Sequence, residues 1–263
     1  MLTKEREAFE QDGAVVLRGL FRDWIDTLRQ GVECNEAEPG PWFRNYTPER
    51  TGGRFFGDYC NWQRIEPFRR FVEQGPSAAI ARALMGSQCA RIFHEHVLVK
   101  EAGADKITPW HHDGPYYCVE AAQTVSLWIP LDPVPRETCV EFVAGSHRWG
   151  KLFRPRKFSG VAYDHQSGRL EALPDIEANR GDYRMLGWDL EPGDAIAFDF
   201  HTVHGAPGNA SASRSRRVVS FRWLGDDAVY ADRGGETSPP YPHLAAVLKP
   251  GDALPESEFP RLA

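Results

Sequence analysis

Three side chains in this sequence have the types and the spacing to grip a metal ion. In Thr108-Pro109-Trp110-His111-His112-Asp113-Gly114-Pro115-Tyr116-Tyr117, an extended backbone sends successive side chains to opposite faces, so His111 and Asp113 share a face and His112 takes the other. Two ligands on one wall need a third from elsewhere. The best candidate is His204, in Phe198-Asp199-Phe200-His201-Thr202-Val203-His204-Gly205. Two imidazoles and one carboxylate on one side of a metal, with the other positions open, is the ligand set of non-heme Fe(II) oxygenases.

Three protein ligands leave three positions for a co-substrate and O2. A keto acid such as 2-oxoglutarate would fill two of them, and its far carboxylate would then need a fixed cation. Arginine suits this because its planar fork makes two charge-assisted hydrogen bonds, each of roughly 1.5 to 3 kcal/mol in a partly buried site. Arg214, Arg216 and Arg217 follow His204 by about a dozen residues. In a hairpin, Arg216 shares a face with Val218 and Ser220; the plain alternative is a solvated basic turn.

Elements are needed to bring these groups together. Residues 3 to 11 are helix-compatible with Thr3 as N-cap, Gly13 breaks the pattern, and Ala14-Val15-Val16-Leu17 reads as a buried strand. Phe21 to Gln30 carries Phe21, Trp24, Ile25 and Leu28 at helical spacing. Residues 36 to 63 read as loops at the mouth of a site, with Trp42, Phe43, Tyr46, Phe55 and Phe56 joining Tyr116 and Tyr117 as its aromatic lining. Pro67 to Met85 reads as two helical pieces broken at Gly75-Pro76, with Gly86 as the stop.

From about residue 91 the period becomes two. Ile92, His94, His96, Leu98 and Lys100 share one face and Phe93, Glu95, Val97 and Val99 the other; Val125, Leu127 and Ile129 oppose Thr124, Ser126 and Trp128. Val140 to Val143, Ala195 to His204 and Val218 to Leu224 extend this run of short strands, which favours a sandwich or barrel over a parallel sheet. In the strand ending at His204, the even positions Phe198, Phe200 and Thr202 face with the histidine. A polar stretch at about 150–190 reads as a lid-like insert in a single domain spanning 1–263, and the Pro- and Gly-rich part after 225 as an irregular tail wrapping the surface.

Bulk composition bounds the rest. Hydrophobic residues make up 41% and charged residues 26% of the 263, so the chain can bury a core. A net charge of -6 argues against a nucleic-acid surface, which needs clustered excess Lys and Arg. The basic run Arg154 to Lys157 could steer an anionic substrate or be a solvated loop face. No apolar run approaches the roughly 18 residues of a membrane span. Five cysteines without a C-x-x-C pair suggest reduced thiols, and with no secretory signal in view the expectation is a cytoplasmic protein acting on a small molecule, of unread oligomeric state.

Taken together, several motifs resemble the phytanoyl-CoA dioxygenase family of Fe(II)/2-oxoglutarate-dependent oxygenases. They are Thr108-Pro109-Trp110-His111-His112-Asp113, Trp128-Ile129-Pro130-Leu131-Asp132, Gly145-Ser146-His147, Gly193-Asp194, and Val203-His204-Gly205 with Asn209, between Gly13-Ala14-Val15-Val16-Leu17 and Trp223-Leu224-Gly225-Asp226-Asp227. The resemblance implies a mainly β fold, a double-stranded β-helix or jelly roll with flanking α-helices. It implies His111, Asp113 and His204 as catalytic iron ligands, Arg216 as the clamp on 2-oxoglutarate, and Trp128 and His96 as residues of the 2-oxoglutarate pocket. The spacing from His204 to the arginine is one residue longer than the family's, which leaves Arg214 open. The activity implied is oxidation of a small organic metabolite, coupled to decarboxylation of 2-oxoglutarate to succinate. Asp113 stands where halogenating relatives carry a small residue, so a hydroxylase rather than a halogenase is expected, with desaturation or ring formation as variants.

Two other readings compete. A cupin-type metal enzyme without keto acid would use His94, His96 and Glu101 with His204, although Glu101 has the opposite strand parity. A non-catalytic jelly-roll binding protein would carry the same residues without turnover.

Overall fold

The computed structural model describes residues 2–48, 52–155 and 170–263. Its frame is a seven-stranded antiparallel sheet in the order Ala14–Leu17, Ala195–Phe198, Thr124–Pro130, Arg216–Leu224, Arg91–Lys100, Phe55–Tyr59, Arg44–Asn45. A second antiparallel sheet runs Met185–Leu186, Glu141–Val143, His204–Ala206, Thr108–His111. This is the expected jelly roll, and the flanking helices are Thr3–Asp12, Ile25–Ala37, Glu66–Gln74 and Ser77–Met85.

Strand alternation divides the large sheet into a packing face and a chemical face. Val97, Val99, Val125, Leu127, Ile129, Val219 and Phe221 are buried against Leu28, Phe68, Phe71 and Leu84 of the helices, each such side chain contributing roughly 1.5–3 kcal/mol of burial. The alternate positions His96, Leu98, Lys100, Trp128, Arg216 and Val218 face a cavity between the sheets. Ile92 departs from the expected parity and joins the helix-side core. The cause is a β-bulge: Arg222 pairs with His94 but Trp223 with Ile92, so Phe93 is the extra residue.

Three other expectations are corrected. The second helix runs on to Ala37 through Gly31, because a Cβ at residue 31 would lie 2.2 Å from Cε1 of Phe68 and the bare backbone lets the two helices approach. Residues 36–63 are not all loop: Phe55–Tyr59 is a strand buried at every position, so it lacks the polar alternation that would have marked it. Ala195 to His204 is not one strand. It breaks after Phe198 into a turn and resumes at His204 in the other sheet.

In the insert, Leu152–Phe153 pairs in parallel with Leu170–Glu171, and Met185–Leu186 adds an edge strand to the smaller sheet. Arg156 and Lys157 of the basic run lie outside the described residues, and Arg154 is exposed. The tail does more than wrap the surface. Tyr230, Leu244, Leu254 and Phe259 pack with Phe93, Tyr117 and Phe200, and Glu236 to Pro240 form part of the cavity wall. All five cysteines are free. Among the described residues no helix is long and apolar enough to cross a membrane.

Candidate metal centre and its cavity

His111 ends one strand of the smaller sheet, and His204 begins its neighbour directly opposite. Their rings lie 4.3 Å apart. Asp113 joins them by a route the alternation argument did not foresee. The strand stops at His111, and Asp113 adopts a right-handed helical conformation (φ -75°, ψ -35°) that opens the short 3-10 turn Gly114–Tyr116. Its Oδ1 is then 3.6 Å from Nε2 of His111 and 3.8 Å from Nε2 of His204. One ligand atom from each of the three lies within 4.8 Å of the others.

The imidazoles are oriented for coordination. Nδ1 of His111 is 2.7 Å from the carbonyl of Pro109, and Nδ1 of His204 is 2.9 Å from the carbonyl of Thr202. A carbonyl only accepts, so both Nδ1 atoms carry the proton and both Nε2 lone pairs are free. Burial holds both histidines neutral, His204 down to about 3 with His111 adding to the effect. Burial works against the charge of Asp113, but Arg222, then His204 and His111, outweigh it and lower the carboxyl to about 2. Its Oδ2 is buried without a hydrogen-bond partner. Two neutral imidazoles and a standing carboxylate whose Oδ1 faces both Nε2 atoms are a donor set that suits a divalent iron-type ion.

The residues shared with the motifs brace this arrangement. Oγ of Ser146 donates to the carbonyl of Val143 (2.7 Å) and accepts from the amide of Val203 (2.8 Å), fixing the residue before His204. Oγ1 of Thr202 donates to the carbonyl of Gly13 at 2.7 Å, so Thr202 turns away from the cavity. Gly13 has φ +77°, and a Cβ there would lie 2.3 Å from Nδ1 of His147. Nε2 of His112, on the far side from the cluster, accepts the amide of Phe153 at 2.9 Å and ties the insert to the ligand loop.

The cluster opens into a cavity of about 460 Å3. Trp128 and His96 line it, and so does Arg216, whereas Arg214 is exposed. Two neighbours aim Arg216. Nδ2 of Asn209 bonds the carbonyls of Lys100, Glu101 and Arg214 at 3.0, 3.1 and 2.7 Å, and Asp132 takes the adjacent Arg217 with both oxygens, at 2.7 and 3.0 Å. Arg216 donates to the carbonyls of Thr138 and Pro207. Lys100, its cross-strand partner, also faces the cavity. Burial, reinforced by the Arg216 charge, brings Lys100 down to about 6, and burial brings Arg216 to about 10. A buried guanidinium beside a buried amine that an arriving anion would protonate is an arrangement that suits an anion.

Sequence reasoning missed Lys100 and Arg222 as site residues. Strand parity contained both: Lys100 shares a face with His96, and Arg222 continues the face of Arg216, Val218 and Ser220. The aromatic lining was found in part, since Tyr46, Phe55, Tyr116 and Tyr117 line the cavity while Phe43 and Phe56 belong to the helix-side core and Trp42 lines a smaller neighbouring cavity. The cupin arrangement fails on geometry. Glu101 pairs with Arg54 at 2.6 Å, and Glu95, buried on the face away from the cavity, accepts the amides of Asn61 and Trp62.

No curated protein matches this chain by sequence. Among solved structures, SnoN, a non-heme alpha ketoglutarate dependent epimerase from nogalamycin biosynthesis, superposes with a TM-score of 0.77 at 23% identity over 100% of this chain and 98% of its own. SnoK, a carbocyclase of the same biosynthesis, gives 0.77 at 24% identity, covering 100% and 97%. EctD from S. alaskensis, with 2-oxoglutarate and 5-hydroxyectoine, gives 0.71 at 17%, covering 97% and 86%. These likenesses carry the fold. The family pattern named Phytanoyl-CoA dioxygenase (PhyH) matches residues 9–218, which span both sheets, the metal-type cluster and Arg216, and the chain belongs to that family.

Proposed function

We propose that this protein is a non-heme Fe(II)- and 2-oxoglutarate-dependent dioxygenase that oxidises a small organic metabolite. The observation that carries the reading is the coexistence, in one cavity, of the His111–Asp113–His204 cluster and the paired basic side chains Lys100 and Arg216. A metal site alone would fit many enzymes; a metal site facing a buried anion site fits a chelating dicarboxylate.

His111, Asp113 and His204 would hold the iron, which with 2-oxoglutarate and O2 supplies the oxidising power as the keto acid is split into succinate and CO2. Arg216 and Lys100 would grip the far carboxylate, with the guanidinium supplying the fork and the amine a point charge. Trp128, Phe198 and Val218 also line the cavity and would add apolar surface around the bound keto acid. His96, neutral because burial and then Arg222 lower it to about 3, offers a hydrogen-bonding edge without adding charge. Tyr46, Tyr59 and Tyr116, with Thr237 and Ser238 of the tail, line the rest. Their mixture of rings and hydroxyls suits a ring-bearing, hydroxylated or otherwise polar metabolite.

Hydroxylation is the expected outcome. Asp113 keeps its carboxylate, so no ligand position is vacated for halide. SnoN is an epimerase and SnoK a carbocyclase, so ring closure with loss of two hydrogens, or inversion of a carbon centre with no net change, is the second outcome to look for. The chain is read as one domain over 1–263 with the insert as lid and the tail as wall. The test is succinate release by Fe(II)-loaded protein across a metabolite panel. Iron-dependent succinate formation, stimulated by one metabolite class and lost in Arg216→Met, supports the reading. No succinate in air with iron and reductant points instead to a binding protein. Product mass then separates gain of oxygen from loss of two hydrogens, and succinate release with an unchanged mass but a shifted chromatographic position marks inversion.

A further inference from the structure

One buried cation plays no part in that chemistry. Arg222 lies on the cavity face of the strand Arg216–Leu224, toward the end away from Arg216. Its side chain is only 7% exposed, yet its partners are few. Nε donates to the hydroxyl of Tyr117, Nη1 donates to the carbonyl of Ser220 at 3.2 Å, and Nη2 is 3.5 Å from Oδ2 of Asp113. The two carboxylate oxygens of Asp113 therefore face different neighbours. Oδ1 looks toward Nε2 of both histidines, at 3.6 and 3.8 Å. Oδ2 is buried, makes no hydrogen bond, and looks toward the guanidinium.

We infer that Arg222 is a positioning residue for Asp113, holding Oδ2 aside so that the carboxylate presents Oδ1 alone to the metal. The inference rests on the reading of His111, Asp113 and His204 as metal ligands. A carboxylate binds divalent ions through one oxygen or through both. Without Arg222, Asp113 would keep only the neutral hydroxyl of Tyr117 on that side, and a bound metal would be the positive charge left within reach of Oδ2. Neither neighbouring imidazole replaces that charge, since burial keeps both His94 and His96 neutral. A two-oxygen Asp113 would consume one of the three positions that a keto acid and O2 need. Arg222 thus protects an open position without touching it.

Mn(II) is the probe, because the relaxation of water protons by bound Mn(II) counts the waters on the ion. A six-coordinate ion with three protein ligands carries about three waters. In the full-length Arg222→Met protein about one third of the bound-water relaxivity is expected to disappear as Oδ2 takes a position. Arg222→Gln, too short to reach Oδ2 but retaining an amide for the local carbonyl, is expected to lose the same fraction and serves if Met disturbs folding, which thermal unfolding reports. Wild-type relaxivity in a folded variant overturns the inference. His111→Ala tests its foundation separately: Mn(II) bound as tightly as by the wild type would remove the metal assignment, and the role of Arg222 with it.

Discussion

Lys100 and Arg216 are directly opposed across adjacent antiparallel strands, and both donate to one acceptor, the carbonyl of Pro207, at 2.9 and 3.3 Å. Among the described residues no carboxylate pairs with either. A dicarboxylate arriving here supplies the missing anion and favours the charged amine. Lys100, lowered from 10.5 to about 6 by burial and then by Arg216, is mostly neutral at pH 8 and must gain a proton as the ligand binds. Calorimetry of 2-oxoglutarate binding to the Mn(II)-loaded protein, in two buffers of different ionisation enthalpy, is expected to show uptake approaching one proton at pH 8 and little below pH 5. In Lys100→Met the uptake disappears. Binding without proton uptake in the wild type would remove Lys100 from the anion site.

The same lysine gives stability a pH dependence. Its folded pKa lies below its unfolded value, so between about 6 and 10.5 the unfolded chain holds more protons and stability rises with pH. The cost of burying Lys100 is therefore largest at the acid end of that window. Lys100→Met is expected to raise the thermal midpoint more at pH 6.5 than at pH 9.5. An equal gain at both values would mean that the amine stays charged in the folded protein.

Arg216 and Arg214 should separate cleanly. Arg216→Met removes two charge-assisted hydrogen bonds, about 3 kcal/mol or more together, and is expected to weaken 2-oxoglutarate binding by 100-fold or more. Arg214 is exposed, and Arg214→Ala should change the affinity by less than about threefold. The reverse ranking in a binding titration would assign the clamp to Arg214.

His112 faces away from the metal cluster and holds the insert. Its Nε2 accepts the amide of Phe153 at 2.9 Å, and its ring lies 5.1 Å from the Phe153 ring. His112→Ala leaves that buried amide unpaired and opens a void, at a cost of about 2–4 kcal/mol. Denaturant unfolding should register the loss, and hydrogen exchange should show the Phe153 amide exposed at least tenfold faster. An unchanged exchange rate would mean that the insert is held by other contacts.

Much of this site could be read from residue order. The His111-x-Asp113 pair, the distant His204 and Arg216 stand in short local motifs, and strand parity grouped His96 with Leu98 and Arg216 with Val218 on faces that line the cavity. What escaped was tertiary. Asp113 reaches the cluster through a turn rather than by alternation, and the break after Phe198 moves His204 to a different sheet. Both depend on hydrogen bonds from distant partners, such as the one from Thr202 to Gly13, that no local pattern encodes. Phe55–Tyr59 was hidden because a strand buried on both faces has no polar period. The tail carried no periodic signal, yet Glu236 to Pro240 close the cavity, as only packing could reveal.

The central claim is that His111, Asp113 and His204 together hold one divalent iron. Anaerobic Fe(II) titration of the wild type beside His204→Ala tests it most directly. The account predicts close to one ion bound per chain in the wild type and binding weakened by at least 100-fold in the variant, with the fold intact by circular dichroism. Equal iron binding by both proteins would contradict it.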